Sequence, residues 1–312
     1  MGSKVTNYLV GTGGWAYFCV PGKNSLESYS KIFNFVEVNF TFYEYPKEKM
    51  VENWRQKVPE DFTFSIRCHQ DLTHRIGFRP VDEAYEVLYK MIDYCNLLKT
   101  PYLVLETPAS YILNSVTAKQ AQEFFSSVNL KKLRLVWELR APLTNHAVDV
   151  MQKFNIISCV DLSKQPINTQ TDVVYSRLFG KGKHNLYQFT DEELIEIDNR
   201  ASEIEPKTVI LSFHGARMHS DAARFKGYAL TGKFMQATNT VGIESAKTVL
   251  QDDAKFPVSK WHLIEQQGWK VVDLTENQRV HFSQLLQDIP NKTYKDINEV
   301  VQALEASEYG RK

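Results

Sequence analysis

The sequence predicts an α/β chain, a TIM-like (β/α)8 barrel carrying a small appended C-terminal α+β module. Three observations predict it. Eight short runs rich in Val, Ile, Leu, Tyr and Phe recur between residues 8 and 215. Most spacers between them carry apolar residues three and four apart, the mark of an amphipathic helix, so the order is strand then helix, repeated. After the first run, Gly11-Thr12-Gly13-Gly14 leads into Trp15 and Tyr17 and not into a GxGxxG helix start, which disfavours an open nucleotide-binding sheet and favours the closed barrel.

The strand-like runs are Tyr8 to Gly11, Phe35 to Asn39, Phe62 to Cys68, Tyr102 to Thr107, Arg134 to Arg140, Ile156 to Asp161, Val173 to Gly180 and Thr208 to Gly215. Helices are expected over Leu26 to Phe33, Ala84 to Leu98, Ala118 to Ser127, Asn145 to Phe154, Asp191 to Ile204 and Asp221 to Gln236. The spacer Leu162 to Asp172 is short and polar, so one barrel helix is expected to be missing or reduced. The pattern changes after Gln236, and a division into a barrel over 1–236 and an appended module over 237–312 is expected. Within the module, helices are expected over Ile243 to Gln251 and Ser259 to Gln267, a strand over Trp269 to Leu274, and a further element over Arg279 to Leu286. A last helix runs from Asp296 to Ala306, and its Asp296 and Glu299 resemble a capping box.

At 312 residues with 43% hydrophobic and 24% charged side chains, the chain is long and apolar enough to bury a large core. Thirty-seven Lys plus Arg balance 37 Asp plus Glu, so no global basic field attracts nucleic acid or an anionic membrane, and any anion site is local. Cys19, Cys68, Cys95 and Cys159 form no CxxC pair, which fits reduced thiols in a cytosol better than a disulfide framework or a zinc site. No apolar run approaches the roughly 18 residues of a membrane span. A cytoplasmic protein without a membrane partner is expected.

In a barrel the chemistry lies where the strands end at their carboxyl termini. Those ends carry Gly13 to Tyr17, Glu37 with Asn39, Arg67 with His69, Glu106, Glu138 with Arg140, Asp161, Arg177, and His214 with Arg217. Side chains alternate along a strand, so Glu37 and Asn39 share a face, as do Glu138 and Arg140. An inward Glu138 needs a countercharge, which Arg140 supplies two residues on. The pair reads either as a structural plug or as a general acid or base poised by its arginine. Imidazoles at His69, His74 and His214 with the carboxylates suit a divalent metal in type, but there is no compact ligand signature, and no metal is assigned. Nothing in the sequence names a cofactor.

Gly180-Lys181-Gly182-Lys183-His184 and Phe213-His214-Gly215-Ala216-Arg217 follow the seventh and eighth strands, where barrels commonly hold phosphate. Walker spacing is absent, and a solvated loop tip is the alternative. Trp15, Tyr17, Phe18, Phe40, Phe42, Tyr43 and Tyr45 crowd the first two strand ends, offering faces for a planar or sugar ligand.

The ordered motifs Gly11-Thr12-Gly13-Gly14-Trp15-Ala16-Tyr17, Val36 to Tyr43 with Pro46 and Trp54, Phe64-Ser65-Ile66-Arg67 and Leu72-Thr73-His74 resemble the YecE-like family, domain of unknown function 72. Trp137-Glu138-Leu139-Arg140, Val160-Asp161, Tyr175 to Gly180 and Phe213 to Ala222 continue the resemblance, which covers roughly residues 8–235. It implies a TIM-like barrel similar to those of apurinic-site endonucleases and xylose-isomerase-like enzymes, and through that analogy a nucleic-acid or sugar-phosphate ligand. Three positions depart from the family pattern: Glu106 stands where Gln is expected, Phe179 where His is, and His214-Gly215 where an Asn pair is.

The expectation is therefore an enzyme, hydrolytic and acting on a phosphate-bearing substrate. Its catalytic set is Glu138, Arg140, Glu37 and His74. Its substrate-binding set is Trp15, Tyr17, Asn39, Tyr43, Arg67, Glu106, Asp161, Arg177, Lys181, Lys183, His214 and Arg217. The alternative is a non-catalytic module that binds nucleic acid or a small phosphorylated ligand.

Overall fold

The computed structural model describes residues 6–307. Eight parallel strands close into a barrel in sequence order: β1 (Asn7–Thr12), β2 (Phe35–Val38), β3 (Thr63–Arg67), β4 (Tyr102–Thr107), β5 (Arg134–Leu139), β6 (Ile157–Val160), β7 (Val173–Leu178) and β8 (Thr208–Phe213). β8 pairs back on β1 over Thr208 to Phe213, which leaves no free edge. Strands buried on both faces read as nearly unbroken apolar runs, and this is why all eight were visible in the sequence. Inward side chains Phe35, Tyr102, Val104, Val136, Ile157, Tyr175 and Ile210 belong to one buried apolar cluster. The alternate residues pack outward; Trp137 meets Phe78 at 5.1 Å and donates its ring N–H to Thr107 Oγ1 at 3.0 Å. A side chain at Gly11 would collide with the Phe35 carbonyl, so glycine lets β1 and β2 approach.

The helices are α1 (Ser25–Ser30), α2 (Phe40–Tyr43), α3 (Glu48–Gln56), α4 (Asp82–Leu98), α5 (Ser115–Ser126), α6 (Asn145–Lys153), α7 (Asp191–Ser202) and α8 (Met218–Thr231). Their starts are chemically marked: Asn24 accepts from the amides of Leu26 and Glu27, Asn114 and Thr117 form a capping box, and Thr144 accepts from Ala147 N. A π-helix, Asp71–Ile76, follows β3 and ends at Gly77 in the left-handed region (φ 75°). No helix forms between β6 and β7, where the chain crosses in turns and bends as its polar composition implied. Two helices between β2 and β3 went unread. In α3 only Val51 is buried, and its nine residues are too few for the apolar positions Met50, Val51 and Trp54 to repeat.

The chain divides into two compact units, residues 6–178 with Arg200–Phe213, and Phe179–Asn199 with residues 214–307. The second unit holds α9 (Ile243–Asp253), α10 (Lys260–Gln267), α11 (Phe282–Leu286) and α12 (Ile297–Ala306). Two antiparallel ribbons complete it: β9 (Val258–Ser259) pairs with β12 (Thr293–Tyr294), and β10 (Val271–Thr275) with β11 (Gln278–His281). Its core gathers Leu250, Leu263, Phe282, Leu286, Tyr294 and Leu304.

A buried ion cluster explains why residues before 237 join this unit. Arg224 on α8 pairs with Asp191 and Asp221, and Arg279 on β11 reaches Asp191 at 2.7 Å and Asp273 at 2.8 Å. The stretch Arg279 to Leu286 is not one element: β11 ends at His281 and α11 begins at Phe282. The expected capping box at α12 is half formed, since Asp296 accepts from Glu299 N at 3.0 Å but Glu299 reaches back to Lys295 N.

Candidate active site

Strand alternation sets a charged layer directly above the apolar floor. Two residues after Phe35, Val104, Val136 and Tyr175 come Glu37, Glu106, Glu138 and Arg177, all on the inward face. Arg177 is their hub. Its Nε donates to Glu37 Oε1 at 3.1 Å, and its Nη1 donates to Glu106 Oε2 at 2.6 Å and to Glu138 Oε2. Arg67 Nη2 lies 2.6 Å from the same Glu106 oxygen, with its guanidinium 3.5 Å above the Phe42 ring. Arg140 spans Glu106 at 3.0 Å and Glu138 at 3.1 Å. Below them, Tyr175 Oη donates to Glu37 Oε2 at 2.8 Å and lies 2.7 Å from Ser65 Oγ. Three carboxylates thus meet three guanidiniums.

Exposure is graded through the layer. The Glu37 and Glu106 side chains are sealed, Glu138 is 15% exposed and Arg140 44% exposed. A solvent-borne ligand therefore meets Arg140 with the edge of Glu138, while Arg177 and Glu37 hold that pair from beneath. Burial pushes the Glu37 carboxyl above its usual range even against Arg177. At Glu138 burial works in the same direction, but Arg177 and Arg140 together outweigh it and hold the carboxyl below its usual range. This direction favours Glu138 as an ionised acceptor at neutral pH.

The π-helix carries His74 beside this layer. Such single turns are rare and recur at functional sites. Its Nδ1 is 2.9 Å from Thr73 Oγ1, and its ring meets Phe42 edge-on at 5.0 Å. Burial lowers its pKa from 6.5, Glu106 opposes the shift, and Arg67 and Arg140 reinforce it, so the imidazole is neutral at pH 7. Asn39 Nδ2 donates to the Gly13 carbonyl at 2.7 Å and ties β2 to the β1 loop, leaving its buried Oδ1 without a partner. Trp15 packs against Trp54 at 5.4 Å, whereas Tyr17 and Tyr43 are open to solvent.

The remaining expected residues sit differently. Asp161 accepts from Ser163 N and Oγ and pairs with Lys164, an arrangement that shapes the turn after β6. Lys181, Lys183, His214 and Arg217 belong to the second unit. There Lys181 pairs with Glu193 at 3.0 Å, Arg217 with Asp252 at 2.6 Å, and His214 stacks on Phe179. His69 stacks on Tyr45 at 3.9 Å. Among the described residues, no group of three or more His, Cys, Asp or Glu side chains is arranged to hold a metal ion. The sequence reading missed Tyr175 and Ser65, although each lies two residues before an inward arginine and shares its face.

Fold and site together define a (β/α)8-barrel protein whose mouth is filled by a carboxylate and guanidinium network. The chain belongs to the DUF72 family: the profile described as "Protein of unknown function DUF72" matches residues 9–240. The UPF0759 protein YecE of Escherichia coli (strain K12) is 37% identical over 62 residues, which are 20% of this chain and 23% of YecE. UPF0759 protein YunF of Bacillus subtilis (strain 168) is 33% identical over 82 residues, 26% of this chain and 28% of YunF. The aligned segments thus span about a quarter of these curated relatives. The crystal structure of a DUF72 family protein from Thermotoga maritima MSB8 superposes with a TM-score of 0.59 at 19% identity, covering 71% of this chain and 98% of that one. The barrel and the family expected from the motifs are both met. No helix among the described residues is long and apolar enough to cross a membrane.

Proposed function

We propose that the barrel mouth is an active site that hydrolyses a phosphate-bearing substrate, either a sugar phosphate or a nucleic-acid backbone. One observation carries the reading: Arg140 is a partly exposed guanidinium held rigidly by Glu106 and Glu138 beside the neutral imidazole of His74. Nε and Nη1 of Arg140 are committed to carboxylates, so its outer N–H groups face an incoming phosphoryl oxygen and stabilise charge developing on it. His74 is the base that takes a proton from the attacking water as the phosphorus–oxygen bond to the leaving alcohol breaks, because its imidazole is neutral and free to accept at pH 7 and is more basic than Glu138, whose carboxyl is held below its usual range. Glu138 and Arg177 are positioning residues acting through Arg140, and Glu37 supports Arg177. The unpartnered Asn39 Oδ1 accepts from a substrate hydroxyl, and Tyr17 and Tyr43 flank the substrate's body. Four unpaired cysteines, three of them buried, support a reducing cytosol as the working compartment.

The experiment is hydrolysis of p-nitrophenyl phosphate and a panel of sugar phosphates by the wild type and by Arg140→Met and Arg140→Lys. Because Arg140 is exposed and its carboxylates keep Arg67 and Arg177, Arg140→Met should melt close to the wild type. Its kcat/KM should fall at least tenfold, with a fall in kcat marking the charge that develops on the phosphoryl oxygen, as befits loss of a charge-assisted pair worth roughly 1.5–3 kcal/mol, with partial recovery in Arg140→Lys. Equal hydrolysis by all three proteins would reduce Arg140 to part of a plug, and absence of hydrolysis of every substrate by the wild type would overturn the enzyme in favour of a binding module.

A further inference from the structure

The end of α4 and the loops that lead into β4 and β5 border an open cavity of about 690 Å³ at the amino ends of the strands, the end of the barrel away from the mouth. Its volume lies within the range of small-molecule sites, about 300–1,000 Å³. Ile92, Cys95, Leu130 and Leu133 give it an apolar floor, and Tyr89, 46% exposed, presents a ring at its edge. Lys99, Lys131 and Lys132 stand on its rim with Asp93 as the single carboxylate lining it.

Two features separate this rim from an ordinary solvated surface. Among the described residues none of the three lysines forms an ion pair with a carboxylate, so the lining, with three lysines against Asp93, carries a local excess of positive charge although the chain as a whole is neutral. In addition, Lys99 and Lys131 both occupy left-handed backbone, with φ 53° and 50°, where glycine or asparagine costs least. Lys99 closes α4, and Lys131 N bonds to Asn129 Oδ1 in a tight turn. Both lysines nevertheless stand at these positions and line the one cavity. Helix α4 also ends here, but the amides of Lys99 and Thr100 bond to the carbonyls of Asn96 and Cys95, so the negative end of the helix is already capped.

We propose that this cavity is a second binding site, independent of the mouth, for a phosphorylated small molecule of mononucleotide size. The lysines take the phosphate, and Tyr89 with the apolar floor takes the flat body. Calorimetric titration with AMP, adenosine and inorganic phosphate tests it. AMP should bind at least tenfold tighter than either fragment. The triple variant Lys99→Asn, Lys131→Asn, Lys132→Ser should lose at least tenfold in AMP affinity while melting at or above the wild-type temperature, since asparagine tolerates the left-handed backbone. Arg140→Met should bind AMP as the wild type does. Absence of AMP binding, AMP affinity retained by the lysine variant, or inorganic phosphate bound as tightly as AMP would each overturn the assignment.

Discussion

Arg177→Met is expected to lower the unfolding free energy by about 3–5 kcal/mol, the usual cost of leaving a buried charge without its partner. Arg177 touches Glu37, Glu106 and Glu138, and its own side chain is 3% exposed. Its loss removes the Nε donor to Glu37 Oε1 in a sealed layer. Urea denaturation of the wild type, Arg177→Met and Arg177→Met with Glu37→Gln should show the second change restoring part of the loss, by more than Glu37→Gln alone adds to the wild type. Additive effects would show that the two side chains do not act as a unit. The pH dependence follows from the two carboxyls. Glu138, with its folded pKa below 4.5, contributes stability that is present above that value and lost as the pH falls through the folded value. Glu37, with its folded pKa above 4.5, contributes stability that is present below that value and lost as the pH rises through the folded one. Glu37→Gln should therefore flatten the decline on the rising side alone.

His74→Ala should reduce kcat on a phosphate-bearing substrate by about 10²–10⁴, the range for removing a general base, with little change in KM or in melting temperature. The imidazole is only partly buried, against Phe42, and supports little of the core, which separates this loss from a folding defect. The acid limb of the wild-type pH profile should have its midpoint below 6.5, with activity rising as the imidazole deprotonates, and that limb should vanish in His74→Ala. Retention of the limb in the variant would assign the proton transfer elsewhere.

The barrel was legible because parallel strands buried on both faces print themselves as apolar runs, and the inward pairs were legible because strand alternation has a period of two. Glu37, Arg67, Glu138 and Arg140 were placed on their faces in this way. What alternation cannot tell is which strand lies across the barrel from which. Arg177 meets Glu37 over 140 positions of sequence, and only ring closure brings β7 opposite β2. The central role of Arg177 and the Tyr175 to Glu37 bond were hidden for that reason. The π-helix was hidden for another, since its side-chain pattern of Leu72, Thr73 and Ile76 buried and His74 exposed is too short to carry a period.

The missing crossover helix leaves the ring with one weak stave. β6 is four residues long and meets β5 only at Ile157 and Ser158, and β7 only at Cys159 and Val160. β6 is the strand with short pairings on both sides, so local opening should begin along it, and the amides of Ile157 to Val160 should exchange with deuterium before those of β8, which is paired along its whole length on both sides. Cys159 faces the interior at that seam, and burial beside Glu138 keeps its thiol protonated and inert while the ring is shut. The same thiol then becomes a built-in reporter of barrel breathing, reacting with a trapping reagent only as fast as the stave swings out.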